Sequence, residues 1–138
     1  MMDGGHRPPR LFTARFANKT LVDHPAAKVR ITLGHPRFRL NYELAGKIPD
    51  LAPTREMFNK TEVDFTALYT ALLIERGGIE HLTQRFASVT AAAGTDDLVL
   101  LCFERLTPPT PGVFCHRRVF AEWWTAATKQ PVLELPEV

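Results

Sequence analysis

Two cysteines and their neighbours are the side chains of this sequence best suited to chemistry. Cys102 lies in an apolar run, and Cys115-His116-Arg117 follows a loop rich in proline and glycine. If Cys115 opens a helix, the helix dipole and the basic neighbours should lower the pKa of its thiol, which could then act as a nucleophile or a redox-sensitive thiolate. The alternative is a small buried cysteine that packs the helix onto a sheet.

Glu104 comes just after the same apolar run. Partial burial there would raise the pKa of its carboxyl and suit it to act as a general acid or base. An ion pair with Arg105 or Arg117 is the structural alternative. Cys115 and Glu104 are therefore the candidate catalytic residues. The candidate ligand-binding residues beside them are Cys102, His116 and Arg117.

Two further segments place polar side chains where predicted strands end. In open α/β sheets, ligands bind beyond the carboxyl ends of the strands, where loops and helix N-termini converge. Arg37 is either a bidentate clamp for phosphate or carboxylate or an ordinary surface arginine. The candidate ligand-binding residues of these segments are Thr13, Arg15, Thr32, Gly34, Pro36 and Arg37.

The spacing of potential donors argues against a metal. Cys102, Cys115, His116 and His35 are the only local set, and the two cysteines are separated by twelve residues with no C-x-x-C pair. Phosphate-binding loops, dinucleotide fingerprints and nucleophile elbows are also absent. We therefore predict no metal and no cofactor. We predict reduced thiols, because nothing in the sequence indicates an oxidising compartment.

Residue periodicity predicts the elements that must position these side chains. Alternation predicts strands, a wholly apolar run predicts a strand buried on both faces, and stripes at helical spacing predict helices. The predicted strands are 11–16, 29–33, 98–103 and 132–135. The predicted helices are a short one within 50–58, one between Thr61 and Gly77, one over 79–93, and one through 116–127 with Trp123 on its buried side; residues 37–50 are predicted as loop.

This order of elements predicts an α/β fold. Strands followed by helices bury their apolar faces best as a single three-layer sandwich with a largely parallel central sheet flanked by helices. A chain of 138 residues suits one such domain. We predict a flexible N-terminal tail over residues 1–9 and a single domain over 10–138.

Charge and hydropathy limit the partners. The net charge is only +2, although residues 1–47 hold nine Lys and Arg against three acidic residues. That basic half is either a solvated face or an approach for a phosphate or another anion. No run of about 18 apolar residues and no secretory signal is present, which predicts a cytoplasmic protein without a membrane partner. Trp123 and Trp124 are more typical of a core and its rim than of a base-stacking surface.

The string Leu100-Leu101-Cys102-Phe103-Glu104, followed after the loop by Cys115-His116-Arg117-Arg118, resembles the signature of the domain-of-unknown-function 488 family. Residues 11–18, residues 29–38 and the Leu51-Ala52-Pro53 segment extend the resemblance over nearly the whole chain, although Phe103 stands where a smaller residue or tyrosine is expected. The resemblance implies an α/β fold and no particular reaction. It also implies a cluster of motif residues, here Cys102, Glu104, Cys115, His116 and Arg117, with Thr32, Pro36 and Arg37.

Three functional hypotheses stay open. The first is a small enzyme acting on a nucleotide-like or other anionic metabolite, with Cys115 and Glu104 as the reactive pair. The second is a module that binds a small ligand or a nucleic-acid end without turnover, although the charge does not require nucleic acid. The third is an interaction protein whose motif residues are purely structural. The sequence does not indicate an oligomeric state.

Overall fold

The apolar run after Asp96 forms the middle of the sheet. In this computed structural model, which describes residues 8–106 and 108–137, β4 (Asp97–Cys102) is buried along its whole length. It pairs with β1 (Arg10–Arg15) on one side and with β2 (Ala27–Arg30) on the other. The two remaining strands, β3 (Gly46–Lys47) and β5 (Val132–Glu134), add to the outer sides of β2 and β1. All pairs are parallel and the order is β3-β2-β4-β1-β5, which confirms the predicted parallel sheet.

Three α-helices cover one face of this sheet: α1 (Glu62–Glu75), α2 (Gly78–Ala93) and α3 (His116–Thr128). They contribute Phe65, Phe86 and Phe120 to one core with alternate residues of β4. As predicted, Thr61 caps α1, because its hydroxyl accepts a hydrogen bond from the Asp64 amide at 3.2 Å.

The turn between α1 and α2 depends on glycine. Gly77 has φ +118°, a conformation that L side chains rarely adopt, and a Cβ there would lie 2.5 Å from the Cβ of His81. A side chain at this position would therefore be strained and would also clash with α2.

The second face of the sheet is covered by shorter segments. A 3-10 helix (Lys19–Asp23) buries Leu21 there, and the segment 38–44 adds Leu40 and Tyr42. The Tyr42 hydroxyl donates to the Phe16 carbonyl at 2.7 Å and so holds that segment on the end of β1. The predicted three-layer α/β sandwich is confirmed, with this layer as the thinner of the two outer ones.

The connections after β2 and β4 leave the sheet over opposite faces. The segment after β2 enters the second core, whereas the loop after β4 leads to α3 on the helical face. Neighbouring parallel strands whose connections diverge in this way leave a crevice at their carboxyl ends, where open α/β sheets usually bind ligands. The fold therefore directs attention to the ends of β2 and β4.

Two predicted features are wrong in detail. Residues 50–58 form two 3-10 turns, Pro49–Leu51 and Arg55–Asn59, because Ala52 takes the extended conformation that a following proline favours. Within the segment predicted as loop, Gly46–Lys47 is a strand, since its backbone pairs with β2.

The buried tryptophan of α3 is Trp124, not Trp123. Trp124 is 3% exposed and its Nε1 donates to Gln130 at 2.8 Å, whereas Trp123 packs at the rim of the core. The four-residue spacing from His116 through Phe120 defines the buried stripe, and this spacing continues to Trp124.

The N-terminal tail predicted over residues 1–9 lies outside the described residues as far as residue 7. Pro9 is held by Gln130, whose Nε2 donates to its carbonyl at 2.6 Å. Among the helices in the described part of the chain, none is both long and apolar enough to cross a membrane.

Candidate functional site

Three motif side chains meet where β4 ends and α3 begins. Cys102 is the last residue of β4, Cys115 is the N-cap of α3, and His116 opens its first turn. All three are buried. The Sγ atoms of Cys102 and Cys115 are 2.7 Å apart, and both cysteines are free. The sequence placed these residues at one strand end, and the structure brings their donor atoms together.

The backbone carbonyl of Ile31, the residue after β2, orients His116. His116 Nε2 lies 2.7 Å from the carbonyl oxygen of Ile31, so it is the nitrogen that carries the proton and donates. Nδ1 of the neutral ring is then an acceptor. It lies 3.9 Å from the Cys115 sulfur, and the Cys102 sulfur is 3.8 Å from both ring nitrogens. The edge contact with the Tyr69 ring, at 5.8 Å between centroids, packs the imidazole on its other side.

The lowered thiol pKa predicted for Cys115 is wrong. Burial raises the pKa of this thiol well above its ordinary value, and the neighbouring Cys102 raises it further. His116 acts in the opposite direction but is outweighed. The sequence correctly suggests a helix start with basic neighbours, but the thiol faces inward and is almost completely removed from water, which disfavours its charged form.

A cavity of about 310 Å³ adjoins this cluster. Glu104 lies on its wall, so the two candidate catalytic residues, Cys115 and Glu104, border the same space. The glutamate is exposed and the thiol is buried, so the cavity runs from solvent toward the sulfur. The rest of the wall is mostly apolar: Met57, Phe58, Phe65, Gly112, Val113, Phe114 and His116.

Arg117 belongs to a different group, on the β5 side of α3. Its guanidinium is fully buried and binds Glu134, with Nη2 donating to Oε2 at 2.8 Å and Nε donating to Oε1 at 3.0 Å. Thr13 donates to the same carboxylate at 2.8 Å. These two predicted ligand-binding residues therefore bind Glu134 instead of facing the cavity at Cys115. Glu104 does not form the ion pair with Arg117 that the sequence left open.

One atom of this arginine is unsatisfied. Arg117 Nη1 is buried and has no hydrogen-bond partner among the described residues. Burial alone would lower the pKa of the guanidinium, but the bond to Glu134 and the nearby thiols of Cys115 and Cys102 outweigh it, so the pKa lies above its ordinary value.

The other predicted ligand-binding residues lie outside the cavity wall. Arg15 forms an ion pair with Glu137 at 2.9 Å. The Thr32 hydroxyl donates to the Gly34 carbonyl at 2.6 Å and shapes the turn after β2. Arg37 is exposed and Pro36 is buried. The end of β2 reaches the cluster through the Ile31 carbonyl rather than through any of these side chains.

Sequence reasoning missed three contributors. Glu134 neutralises Arg117, Ile31 orients His116 through its backbone, and Phe114 lines the cavity. The position of Phe114 beside Cys115 was a usable signal for the last of these. Neither a backbone carbonyl nor a partner in the final strand leaves a local signal in the sequence.

Fold and site together define a class: a small parallel α/β protein with a buried thiol–imidazole cluster beside a mostly apolar cavity at the carboxyl edge of its sheet. Comparison with known proteins adds no name to this class, because no family model, no curated protein and no solved structure matches the chain. The resemblance to the domain-of-unknown-function 488 family stays a prediction.

Proposed function

We propose that this protein is a small enzyme whose substrate binds in the cavity at the end of β4. The observation that carries the proposal is the cluster of Cys102, Cys115 and His116 beside a cavity whose wall includes Cys115, His116 and Glu104. Concave, mostly apolar sites with a few convergent polar groups are the usual form of small-molecule sites. The buried cluster supplies the reactive centre, and Glu104 transfers protons to or from the substrate.

The cavity wall favours a particular substrate chemistry. Its apolar side chains suit a flat or aliphatic body, and Glu104 is its only acidic or basic side chain apart from His116. A neutral or cationic polar group fits beside that carboxylate better than a phosphate does. The anionic metabolite predicted from the sequence loses one of its expected holders, since Glu134 engages the Arg117 guanidinium.

A second, larger cavity of about 510 Å³ lies between α3 and β5 and is lined by Thr13, Glu122 and Glu134. We favour the smaller cavity because its wall includes Cys115 and His116. The larger one supplies a matched control: Glu122→Gln removes a wall carboxylate there, as Glu104→Gln does in the proposed site.

The proposal is tested by thermal shift against nucleosides, nucleotides, aliphatic amines and sugar phosphates. A ligand at a hundredfold excess over its Kd stabilises the fold by about 2.7 kcal/mol, which a melting curve resolves readily. We expect stabilisation by neutral or cationic compounds, loss of it in Phe58→Ala and Glu104→Gln, and no change in Glu122→Gln. Bound compounds are then followed for turnover by mass spectrometry.

Three outcomes separate the hypotheses. Binding with turnover that Glu104→Gln slows supports the enzyme. Binding at this cavity without turnover of any bound compound favours the ligand-binding module. Stabilisation by nucleotides alone, unaffected by Glu104→Gln and lost in Arg37→Ala, would restore the anionic site predicted from the second strand end. The cytoplasmic location stays a prediction.

A further inference from the structure

We propose that Cys102, Cys115 and His116 form a zinc site with two thiolate ligands, one imidazole ligand and a fourth position that opens into the cavity. The Sγ atoms and a ring nitrogen lie within 4.8 Å of one another, and all three residues are buried. This is the only such group of three potential donors in the part of the chain that the structure describes. Its members come from the end of a strand and the start of a helix, which explains why their spacing in sequence is unlike a zinc motif.

The donor distances are close to those of a tetrahedral site. Ligands bound at 2.3 Å for sulfur and about 2.05 Å for nitrogen stand roughly 3.6 Å apart across a tetrahedral ion. The Nδ1-to-sulfur distances of 3.8 and 3.9 Å already match this spacing. The sulfurs, 2.7 Å apart, must separate to about 3.8 Å. Small side-chain rotations of the two cysteines supply that change.

The histidine is held as metal-binding histidines are held. Such residues almost always donate their second ring N–H to a carbonyl or carboxylate, which fixes the tautomer and aims the other nitrogen at the metal. The Ile31 carbonyl accepts this hydrogen bond from His116 Nε2 at 2.7 Å. Nδ1, which lies 3.9 Å from the Cys115 sulfur, is therefore left as the lone-pair donor.

A disulfide explains these observations less well. The sulfur separation of 2.7 Å lies between the roughly 2.05 Å of an S–S bond and the roughly 3.8 Å of two zinc-bound thiolates, so the histidine distinguishes the two arrangements. A disulfide would leave His116 Nδ1 with neither a proton nor a metal to accept. Two thiolates with an imidazole select zinc over magnesium or calcium, which prefer oxygen ligands. Three protein ligands leave a position for water or substrate, and this last step rests on the proposed function of the cavity.

The test uses the untagged full-length chain, kept reduced, stripped with a chelator and titrated with Co²⁺ and then Zn²⁺. We expect one ion per chain, with a sulfur-to-cobalt charge-transfer band and the visible bands of four-coordinate cobalt that zinc abolishes. Cys102→Ser and Cys115→Ser should lose the charge-transfer band or greatly reduce it. His116→Gln should weaken binding by more than the roughly 10–100-fold that loss of an outer-shell partner costs. His35→Asn, in the exposed loop after β2, is the matched control and should bind normally.

Wild-type protein gives a second readout that does not depend on whether these variants fold. Zinc should protect both thiols from iodoacetamide, and the chelator should remove that protection. The proposal would be overturned if reduced, folded protein took up no cobalt. It would also be overturned if the two cysteines formed a disulfide under the reducing conditions, seen as a chain two hydrogens lighter with no free thiol. Compounds from the thermal-shift panel are then tested on loaded and stripped protein. Ion binding without ligand binding would leave the metal site standing and reject the proposed function, and ligand binding without ion binding would do the reverse.

Discussion

His116 and Arg117 are consecutive residues at the start of α3, yet they belong to two polar groups that are built differently. Arg117 points toward β5, where its guanidinium donates to Glu134, and Thr13 donates to the same carboxylate. His116 points toward the ends of β2 and β4, where its Nδ1 faces two thiols at nearly 4 Å. In the first group Glu134 cancels the charge of Arg117, whereas in the second group His116 Nδ1 has only long contacts to the two sulfurs.

The difference separates a structural group from a binding group. A buried ion pair costs free energy to break, and its mutual neutralisation leaves little charge for a ligand. A buried cluster of donors with long internal distances contributes less to folding and is free to bind. Adjacent positions on one helix can serve both purposes, because successive side chains are about 100° apart around the axis.

The largest effect on stability is expected when the buried Arg117–Glu134 pair is broken. Glu134→Ala leaves the Arg117 guanidinium buried without its counter-charge, and we expect it to lower the free energy of unfolding by about 3 kcal/mol. Urea denaturation at neutral pH measures this. Glu134→Ala combined with Arg117→Met removes both charges and should recover more than half of that loss. If the double variant lost as much free energy of unfolding as the two single variants together, the ion pair would not be the source of the effect.

The sequence predicted the parts of the fold that depend on local pattern. Thr61 predicted the start of α1, and the unbroken apolar run 98–103 predicted the central strand, because burial on both faces requires such a run. By contrast, β3 has no apolar pattern and both of its residues are exposed. It is a strand only because its backbone pairs with β2, and composition carries no trace of that pairing.

The candidate site was predictable as a location but not as an arrangement. Cys102, Cys115 and His116 follow from the strand-loop-helix order and the preference of ligands for carboxyl edges. The partner of Arg117 did not follow, because Glu134 is 17 residues away in another element. The pKa of Cys115 was predicted in the wrong direction, since neighbours in sequence report charge but not depth of burial.

A smaller effect on stability is expected in the cluster of His116 and the two thiols. His116→Leu keeps a bulky side chain but removes the donor to the Ile31 carbonyl, and an unsatisfied buried acceptor costs about 1–3 kcal/mol. In metal-free protein, His116→Leu should therefore be less destabilising than Glu134→Ala. Paired urea curves of the two variants measure the difference. If His116→Leu proved the more damaging change, the cluster would be a structural centre and the contrast with the Arg117 group would fail.

The smallest effect on stability is expected in a third polar group, formed by Asp50, His81 and Arg85, which is partly exposed. Asp50 accepts from His81 at 2.6 Å and from Arg85 at 3.3 Å, fastening α2 to the turn before Ala52. Partial burial alone would raise the pKa of the Asp50 carboxyl, but the His81 hydrogen bond and the Arg85 charge outweigh it, so the pKa lies below its ordinary value of 3.8.

A lowered folded-state pKa means that the native chain binds fewer protons than the unfolded chain. The stabilisation is complete above the unfolded-state pKa and is lost as pH falls through the folded-state value. Asp50→Asn should therefore cost about 0.5–1 kcal/mol at neutral pH, the size expected of a partly exposed pair, and progressively less below pH 4. Urea unfolding of both proteins across this range measures the difference. A deficit that grew on acidification would have the wrong sign for a depressed carboxyl pKa and would locate the effect in lost packing.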